Sequence, residues 1–149
     1  MRISRKCQYA LRAVFELALR DTGQPVKISE IAGAQNIPTR FLEVILNQLR
    51  HAGFVESRRG NEGGYMLARP AWEITVGQII QYAQGSISLS ADNTGRLDKS
   101  QYFYGDYAFK ELWQKLSREI YQICDNTTIA ELVESETARK AATVPNYAI

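Results

Sequence analysis

The first regular pattern of apolar positions covers residues 4–20. Small and apolar side chains recur there at helical spacing, at Cys7, Ala10, Leu11, Val14, Phe15 and Ala18. This spacing is one face of a helix with 3.6 residues per turn. Ser4 is predicted as its N-cap, because the hydroxyl can accept a free backbone N–H of the first turn. The Gly- and Pro-containing residues 21–25 predict a loop after the helix.

Two shorter helices joined by a tight turn are predicted over residues 28–35 and 39–52. The apolar side of the first consists of Ile28, Ile31 and Ala32. Pro38 disfavours helix at the residue before it, and Thr39 is predicted as the N-cap of the second helix. That helix is predicted to bury a stripe formed by Phe41, Leu42, Ile45, Leu46 and Leu49. Gly53 suits the left-handed residue that ends a helix.

A β-hairpin follows directly. Residues 54–58 and 65–68 are predicted as its strands, and Gly60, Gly63 and Gly64 supply the unusual dihedrals of its loop. A fourth helix is predicted over residues 75–84. Its apolar side consists of Val76, Ile79, Ile80 and Ala83.

Residues 86–106 show no helical period, so we expect a linker or an ordered functional loop. A long helix is predicted over residues 107–124. Its apolar stripe consists of Phe109, Leu112, Trp113, Leu116, Ile120 and Ile123. Such a stripe outside a compact core needs a partner surface, and a second copy of the same helix is the simplest one. Thr128 opens a capping-box pattern for a short last helix, and we expect residues 136–149 to be a mobile tail.

These elements predict a mostly α fold with a winged helix-turn-helix DNA-binding domain over residues 1–85 and a two-stranded β wing. The loop at residues 86–106 would connect it to a dimerisation helix and a short terminal helix at residues 107–135, followed by the tail at residues 136–149. A helix-turn-helix pattern with an attached hairpin is typical of proteins that bind double-stranded DNA.

The composition agrees with this predicted fold and indicates where in the cell the protein is expected. The 149 residues suit one domain, or one domain with an appended element. There is no apolar run of about 18 residues that would predict a membrane span. The N-terminal residues do not resemble a signal peptide, and two cysteines are too few for a disulfide framework. We therefore expect a cytoplasmic protein without membrane contact.

The net charge of +2 hides an uneven distribution. Residues 1–70 contain eleven Lys and Arg against six Asp and Glu, whereas residues 71–149 contain seven against ten. A basic first half suits contact with DNA at one end of the molecule. Ordinary solvated faces could also produce this difference, so it supports DNA binding without establishing it.

The predicted recognition helix presents a polar face opposite its apolar stripe. That face consists of Arg40, Glu43, Val44, Asn47, Gln48 and His51. These residue types read base edges: Arg contacts guanine, Asn or Gln contacts adenine, and Glu accepts from the cytosine amino group. Alone, such a face could be a solvated surface of mixed charge. The adjoining turn and hairpin favour DNA recognition.

The hairpin loop and the first helix supply further candidate contacts. Arg58, Arg59 and Gly60 form a compact basic tip that could enter a narrow minor groove, although a basic turn without a partner is the alternative. The loop glycines match no phosphate-loop pattern, and a strand rather than a helix follows them. At the start of the first helix, Ser4, Lys6 and Tyr9, together with Arg5, are candidates for phosphate contacts, unless they are merely solvated.

Several of these segments resemble the Rrf2 family of bacterial transcription regulators. The resemblance covers residues 1–133 and is carried by Ile3-Ser4, Tyr9-Ala10-Leu11, Ile37-Pro38, Phe41-Leu42-Glu43, Leu49-Arg50-His51-Ala52-Gly53, Ser57-Arg58-Arg59-Gly60-Asn61-Glu62-Gly63-Gly64-Tyr65 and Thr127-Thr128-Ile129-Ala130-Glu131-Leu132. It implies a homodimer whose long helices cross at the interface. It also implies that Glu43 discriminates among DNA sites and that Arg59 enters the minor groove.

One departure from the family pattern concerns the cofactor. Many members hold an iron–sulfur cluster with three cysteines in the loop that corresponds to residues 86–106, and this loop contains none. The sequence therefore resembles the cluster-free branch, and we expect no cofactor. Cys7 and Cys124 are predicted to be small buried hydrophobes, with a thiol redox response as the weaker alternative. His51 has no partner ligands nearby in sequence, so no zinc site is expected.

The same loop contains aromatic and acidic residues, namely Tyr102, Phe103, Tyr104, Tyr107, Asp92, Asp98 and Asp106. They could line an effector pocket, contact a partner protein or pin the loop onto the dimer core. The last of these is the interpretation we favour. The resemblance implies that the signal is a protein partner or a small molecule, and the residues do not identify it.

The sequence thus predicts a DNA-binding transcription regulator, as a repressor that binds a palindromic operator as a homodimer. A winged-helix interaction module without specific DNA binding is the alternative, since fold alone does not settle function. Arg40, Asn47 and Arg59 argue against that alternative, because an interaction module does not need them. The sequence shows no nucleophile–base pair, metal cluster or cofactor loop, which argues against an enzyme.

Overall fold

A computed structural model of the chain describes residues 2–87, residue 89 and residues 103–143. The described helices are α1 (Arg5–Leu19), α2 (Ile28–Gln35), α3 (Thr39–His51), α4 (Val76–Gln84), α5 (Asp106–Asn126) and α6 (Ile129–Thr143). Strands β1 (Val55–Arg58) and β2 (Gly64–Leu67) form an antiparallel hairpin, and a 3-10 turn covers Ala71–Glu73. The predicted order of helices and hairpin is confirmed. No helix in the described ranges is long and apolar enough to cross a membrane.

The predicted caps of the first and third helices have different outcomes. Ser4 caps α1 as expected, and its Oγ accepts the Cys7 N–H at 3.1 Å. The prediction that Thr39 is the N-cap of α3 is wrong, because Thr39 is already the first helical residue and Pro38 is the N-cap. The Pro38 carbonyl accepts the N–H groups of Phe41 and Leu42 at 3.0 and 3.1 Å, so the helix is established one residue earlier.

Helix α1 lies at the centre of the molecule and packs against α2, α3, α4, α6 and β2. Its inward face combines the small buried residues Ala10, Ala13 and Val14 with the larger Leu17. Small residues let neighbouring helices approach closely, and larger side chains from those helices then fill the core. The largest of these are Ile31, Leu42, Leu46, Leu49, Ile79 and Ile129, and Ile74, in the segment before α4, joins them.

A buried carboxylate, which the apolar pattern did not predict, joins α1 to α2. Glu16 is only 3% exposed. Its Oε1 accepts from Arg20 Nε, and its Oε2 accepts from Gln35 Nε2 at 2.6 Å. A buried charge is strongly unfavourable unless it is paired and hydrogen-bonded. This contact therefore holds the end of α2, and with it the turn into α3, at a defined place on α1.

The loop before α2 also pairs with the hairpin. Val26 and Tyr65 exchange two backbone hydrogen bonds, each 2.8 Å long, so a third segment joins the β1–β2 pair. A Cβ atom at Gly64 would lie 2.3 Å from the Val26 carbonyl oxygen. Glycine at this position allows the close approach. The hairpin is thus attached to the segment that leads into the helix-turn-helix.

Helices α5 and α6 are joined to the start of α4 by another backbone pair. The Val76 N–H donates to the Thr127 carbonyl, and the Ile129 N–H donates to the Ile74 carbonyl, both at 2.9 Å. This bridge sets the point at which the chain leaves α5 and enters α6. No side-chain pattern marks such a contact, so the sequence did not reveal it.

The last helix is longer than predicted, because α6 continues to Thr143. Residues 136–143, the first part of the predicted tail, are therefore helical. Ala138, Ala141 and Ala142 favour helix without needing an apolar face. An amphipathic pattern was therefore the wrong criterion here. The rest of the predicted tail, residues 144–149, lies outside the described residues.

Most of the predicted dimerisation stripe on α5 is exposed in the single chain. Phe109, Leu112, Trp113, Leu116 and Ile123 are exposed. Ile120 differs from them, because it packs within the chain against an apolar cluster of Cys7, Ile80 and Ile87. Of the loop at residues 86–106, Phe103 and Tyr104 are exposed, whereas Asp92, Asp98 and Tyr102 lie outside the described residues.

Two helical glycines provide a test of the packing between α4 and α5. A Cβ at Gly33 would meet nothing within 4 Å, whereas one at Gly77 would lie 1.9 Å from Asp125 Oδ1 and 3.0 Å from the Asp125 backbone nitrogen. Gly33→Ala should raise the free energy of unfolding by about 0.5–1 kcal/mol, since alanine is the better helix former. Gly77→Ala should lower it, because α5 must move. Denaturant unfolding of both variants measures the effects; equal stabilisation would contradict the close contact.

Candidate nucleic-acid interface

Helix α3 presents a continuous exposed row of side chains. Arg40, Glu43, Val44, Asn47 and His51 are all exposed on it. Leu42, Ile45, Leu46 and Leu49 are buried on the opposite side and hold the helix to the core. The structure thus brings together the predicted row of polar side chains. An α-helix displayed in this way fits a DNA major groove.

Phe41 was predicted to be part of the core and is 53% exposed. It lies one residue before Leu42, which places it about 100° around the helix from the Leu42–Leu46–Leu49 line. Phe41 therefore lies at the edge of the buried stripe. The Arg40 guanidinium lies 5.8 Å from the centre of its ring, a cation–π contact. The recognition face consequently includes an aromatic surface that periodicity alone assigned to the core.

Gln48 does not belong to the exposed row. It is half-buried, and its carbonyl accepts from the Tyr82 hydroxyl of α4 at 2.8 Å. Its side-chain oxygen is buried and has no hydrogen-bond partner among the described residues. Gln48 therefore lies at the boundary between the exposed row and the contact of α3 with α4, and its base contact stays a prediction. Its position on the helix, at the edge of the polar face, made the two interpretations indistinguishable in sequence.

Arg50 on α3 is hydrogen-bonded to the hairpin. Neither its residue type nor its position in the sequence marks it as a link between the two elements. Its Nη2 donates to Asn47 Oδ1 at 2.9 Å, and its Nη1 donates to Ser57 Oγ on β1 at 3.2 Å. His51 Nδ1 lies 2.7 Å from the Asn47 carbonyl oxygen. The hydrogen bond to Ser57 crosses from α3 to β1, and the one to Asn47 holds the guanidinium against its own helix. The helix and the wing therefore form one surface.

The tip of the hairpin is compact and basic. Arg58, Arg59 and Gly60 are exposed. The Gly63 N–H donates to the Gly60 carbonyl at 3.0 Å, and a Cβ at Gly63 would lie 2.4 Å from the Arg58 carbonyl oxygen. This turn is too tight for a side chain at residue 63. It presents two arginines at the end of a narrow loop, a shape that fits a minor groove.

The three candidate phosphate contacts at the start of α1 differ in availability. Lys6 is exposed, as is the neighbouring Arg5. Ser4 uses its hydroxyl to cap the helix, and its N–H donates to Gln84 Oε1 at 2.9 Å. Tyr9 is half-buried against the core. The two cations are therefore the groups best placed to meet a phosphate, and Ser4 and Tyr9 fix the helix that carries them.

The two cysteines, distant in sequence, meet in one apolar cluster between α1 and α5. Cys7 is buried as predicted, whereas Cys124 is only partly buried. Burial raises the pKa of both thiols, and Cys124 raises that of Cys7 further. Both thiols therefore favour the protonated, unreactive form.

In the part of the chain that the structure describes, no group of three or more His, Cys, Asp or Glu could hold a metal ion.

Comparison with known proteins shows what this arrangement is similar to. The sequence model of the Rrf2 family, described as an iron-dependent transcriptional regulator, matches residues 3–135. The IscR regulator of Serratia proteamaculans is 36% identical over 137 residues, which cover 91% of this chain and 81% of IscR. A helix-turn-helix transcriptional regulator of Mycobacterium tuberculosis is 37% identical over 132 residues, covering 89% of this chain and 81% of the relative.

A solved structure confirms the fold. CymR, the global cysteine regulator of B. subtilis, superposes with a TM-score of 0.76 at 31% identity, covering 91% of this chain and 98% of CymR. The predicted mostly α, winged helix-turn-helix architecture is therefore confirmed. The prediction that the chain is a DNA-binding transcription regulator rather than an enzyme is confirmed as well.

The iron chemistry in the family's description does not fit the donor set of this chain. Residues 86–106 contain no cysteine, and the two cysteines of the chain lie on α1 and α5 among apolar side chains. An iron–sulfur cluster needs several thiolate or imidazole ligands directed at one point. Two protonated thiols in an apolar cluster do not meet that requirement.

Phe41 and Leu42 are neighbours in sequence with opposite environments, so they test the orientation of α3. Leu42 is fully buried, and Leu42→Ala should lower the free energy of unfolding by about 2–5 kcal/mol. Phe41→Ala should change it by less than about 1 kcal/mol, as expected for an exposed side chain. Denaturant unfolding at matched protein concentration compares them. A large loss of unfolding free energy in Phe41→Ala would contradict the exposed position of the Phe41 ring.

The thiols provide a second test. Since the thiolate is the reactive form, native Cys7 should react with iodoacetamide at least about tenfold more slowly at pH 7 than in denaturant, because burial raises its pKa and excludes the reagent. Cys124, which is partly exposed, should react faster than Cys7. Mass spectrometry of timed samples gives both rates. Native labelling of Cys7 at its unfolded rate would contradict the buried position.

Proposed function

This chain belongs to the Rrf2 family of DNA-binding transcription regulators, and from that membership we propose that it represses transcription as a homodimer bound to a palindromic operator. Helix α3 enters the major groove, and the wing tip at residues 58–64 enters the adjacent minor groove. The observation that carries this proposal is the exposed row on α3, held to the wing through Arg50. A regulator that covers promoter DNA in this way blocks polymerase by occupying the site.

The proposed dimer brings two recognition helices to one DNA duplex. The exposed stripe on α5, which consists of Phe109, Leu112, Trp113, Leu116 and Ile123, is the surface that a second copy would bury. A twofold dimer uses the same patch on both copies. Two recognition helices related by a twofold axis read two half-sites in opposite directions, which is why we expect a palindrome.

Base recognition is assigned to the exposed members of the α3 row. Glu43 accepts from a cytosine amino group, Arg40 donates to guanine, and Val44 offers an apolar contact for a thymine methyl group. His51 and Asn47 extend the row toward the end of the helix. Arg58, Arg59 and Gly60 form the minor-groove contact, and Arg5 and Lys6 hold phosphates that fix the register.

The signal that controls the regulator is proposed to be a protein partner or a small molecule. The absence of cysteines from residues 86–106 supports this choice over an iron–sulfur cluster in that loop.

Substitutions in the wing and the helix should have different effects on binding. Arg59→Ala should weaken operator affinity about tenfold or more, because a minor-groove cation is lost. Glu43→Ala should instead relax base preference by about 1–3 kcal/mol at one position of each half-site. Fluorescence anisotropy with the selected operator and with single-base variants measures both effects.

The matched control is Arg139→Ala, which removes the same charge from α6 and should leave both affinity and preference close to wild type. A wild-type protein that is folded and binds operator and shuffled duplex equally would contradict the proposed function. Such a result would favour the interaction-module alternative.

A further inference from the structure

The side-chain amide of Asn47 is held in one orientation by Arg50. Arg50 Nη2 donates to Asn47 Oδ1 at 2.9 Å. Arginine carries only donors, so the amide atom that faces it must be the oxygen and not the nitrogen. The NH₂ group is therefore the end of the amide that Arg50 leaves free. Asn47 itself is exposed on the recognition row.

Arg50 is anchored at a second point. Its Nη1 donates to Ser57 Oγ on β1 at 3.2 Å, so the guanidinium spans α3 and the wing. A guanidinium is planar and presents its donors in a rigid fork. With two of these donors engaged on different elements, Arg50 has little freedom to leave the Asn47 oxygen. The orientation of the amide is thus a property of the helix–wing contact.

We propose that Arg50 is a positioning residue that makes Asn47 a hydrogen-bond donor to guanine and disfavours adenine at that operator position. This inference rests on the proposed function. Guanine presents two acceptors in the major groove, N7 and O6, whereas adenine presents an acceptor and an amino donor. The paired Asn–adenine contact needs Oδ1 to accept from the adenine amino group.

That adenine contact is opposed by Arg50. Asn47 Oδ1 already accepts one hydrogen bond, and its remaining lone pair lies beside a positive guanidinium. The amino hydrogens of adenine carry partial positive charge, so the guanidinium repels them. The free NH₂ group, in contrast, matches the acceptors of guanine. The general expectation that asparagine reads adenine is therefore reversed at this position.

The experiment measures base preference at every operator position, using a random duplex library and five full-length proteins: wild type, Asn47→Ala, Arg50→Leu, Arg50→Lys and Arg139→Leu. The position at which Asn47→Ala loses preference identifies the base that Asn47 reads. There, the wild type should prefer guanine to adenine by about tenfold, the size of one good base contact. Arg50→Leu should lower that ratio at least about fivefold, at that position alone.

Two controls separate positioning from charge and from folding. Arg139→Leu removes the same charge from α6 and should keep the guanine preference. Arg50→Lys retains a donor for the Asn47 oxygen and should also keep it, even if affinity falls. Arg50→Met replaces Arg50→Leu if the thermal melt of the latter shows unfolding.

The possible outcomes have distinct meanings. Adenine preferred by the wild type at the Asn47 position, or a guanine preference that persists in Arg50→Leu, overturns this inference and leaves the proposed function standing. Recovery of no motif by folded wild type overturns both. Loss of guanine preference in Arg50→Leu at the Asn47 position, with Arg139→Leu unchanged, supports the inference.

Discussion

The close packing of helix α1 against its neighbours is the constraint on which the rest of the fold depends. Its buried face carries the small residues Ala10, Ala13 and Val14 beside Leu17, so four helices and a strand can approach one central helix. Interiors are close-packed, and larger side chains on α1 would push these elements apart. Glu16 adds a directional contact to this apolar packing, because its carboxylate is bound by Arg20 and Gln35.

The positions of α2, α3 and the hairpin depend on their contacts with α1 and with one another. The Glu16–Gln35 hydrogen bond sets the end of α2, the turn at Asn36 leads into α3, and the pairing of Val26 with Tyr65 attaches the hairpin. Arg50 then closes the arrangement by joining α3 to β1. A rigid relation between helix and wing matters for the proposed function, in which the two elements enter adjacent grooves of one duplex. Base recognition needs side chains held on rigid elements.

The chain has the fold of its family but lacks cysteines in the loop at residues 86–106. Its fold matches that of a solved family member, whereas residues 86–106 contain no cysteine. The two cysteines occur instead in an apolar cluster that joins α1 to α5, where burial keeps them protonated. The cysteine cluster and the α3–wing surface thus lie in different parts of the fold.

The sequence by itself determined the helix and strand order, the basic wing and the exposed α3 row, because these depend on local periodicity, caps and glycines. It placed Phe41 in the core, whereas this residue lies at the edge of the amphipathic pattern, where spacing alone does not separate core from surface. Tertiary structure decided the contacts between distant segments: the Glu16 network, the Val26–Tyr65 pairing and the Arg50 link. Such contacts depend on how the elements pack, and no short-range pattern encodes that.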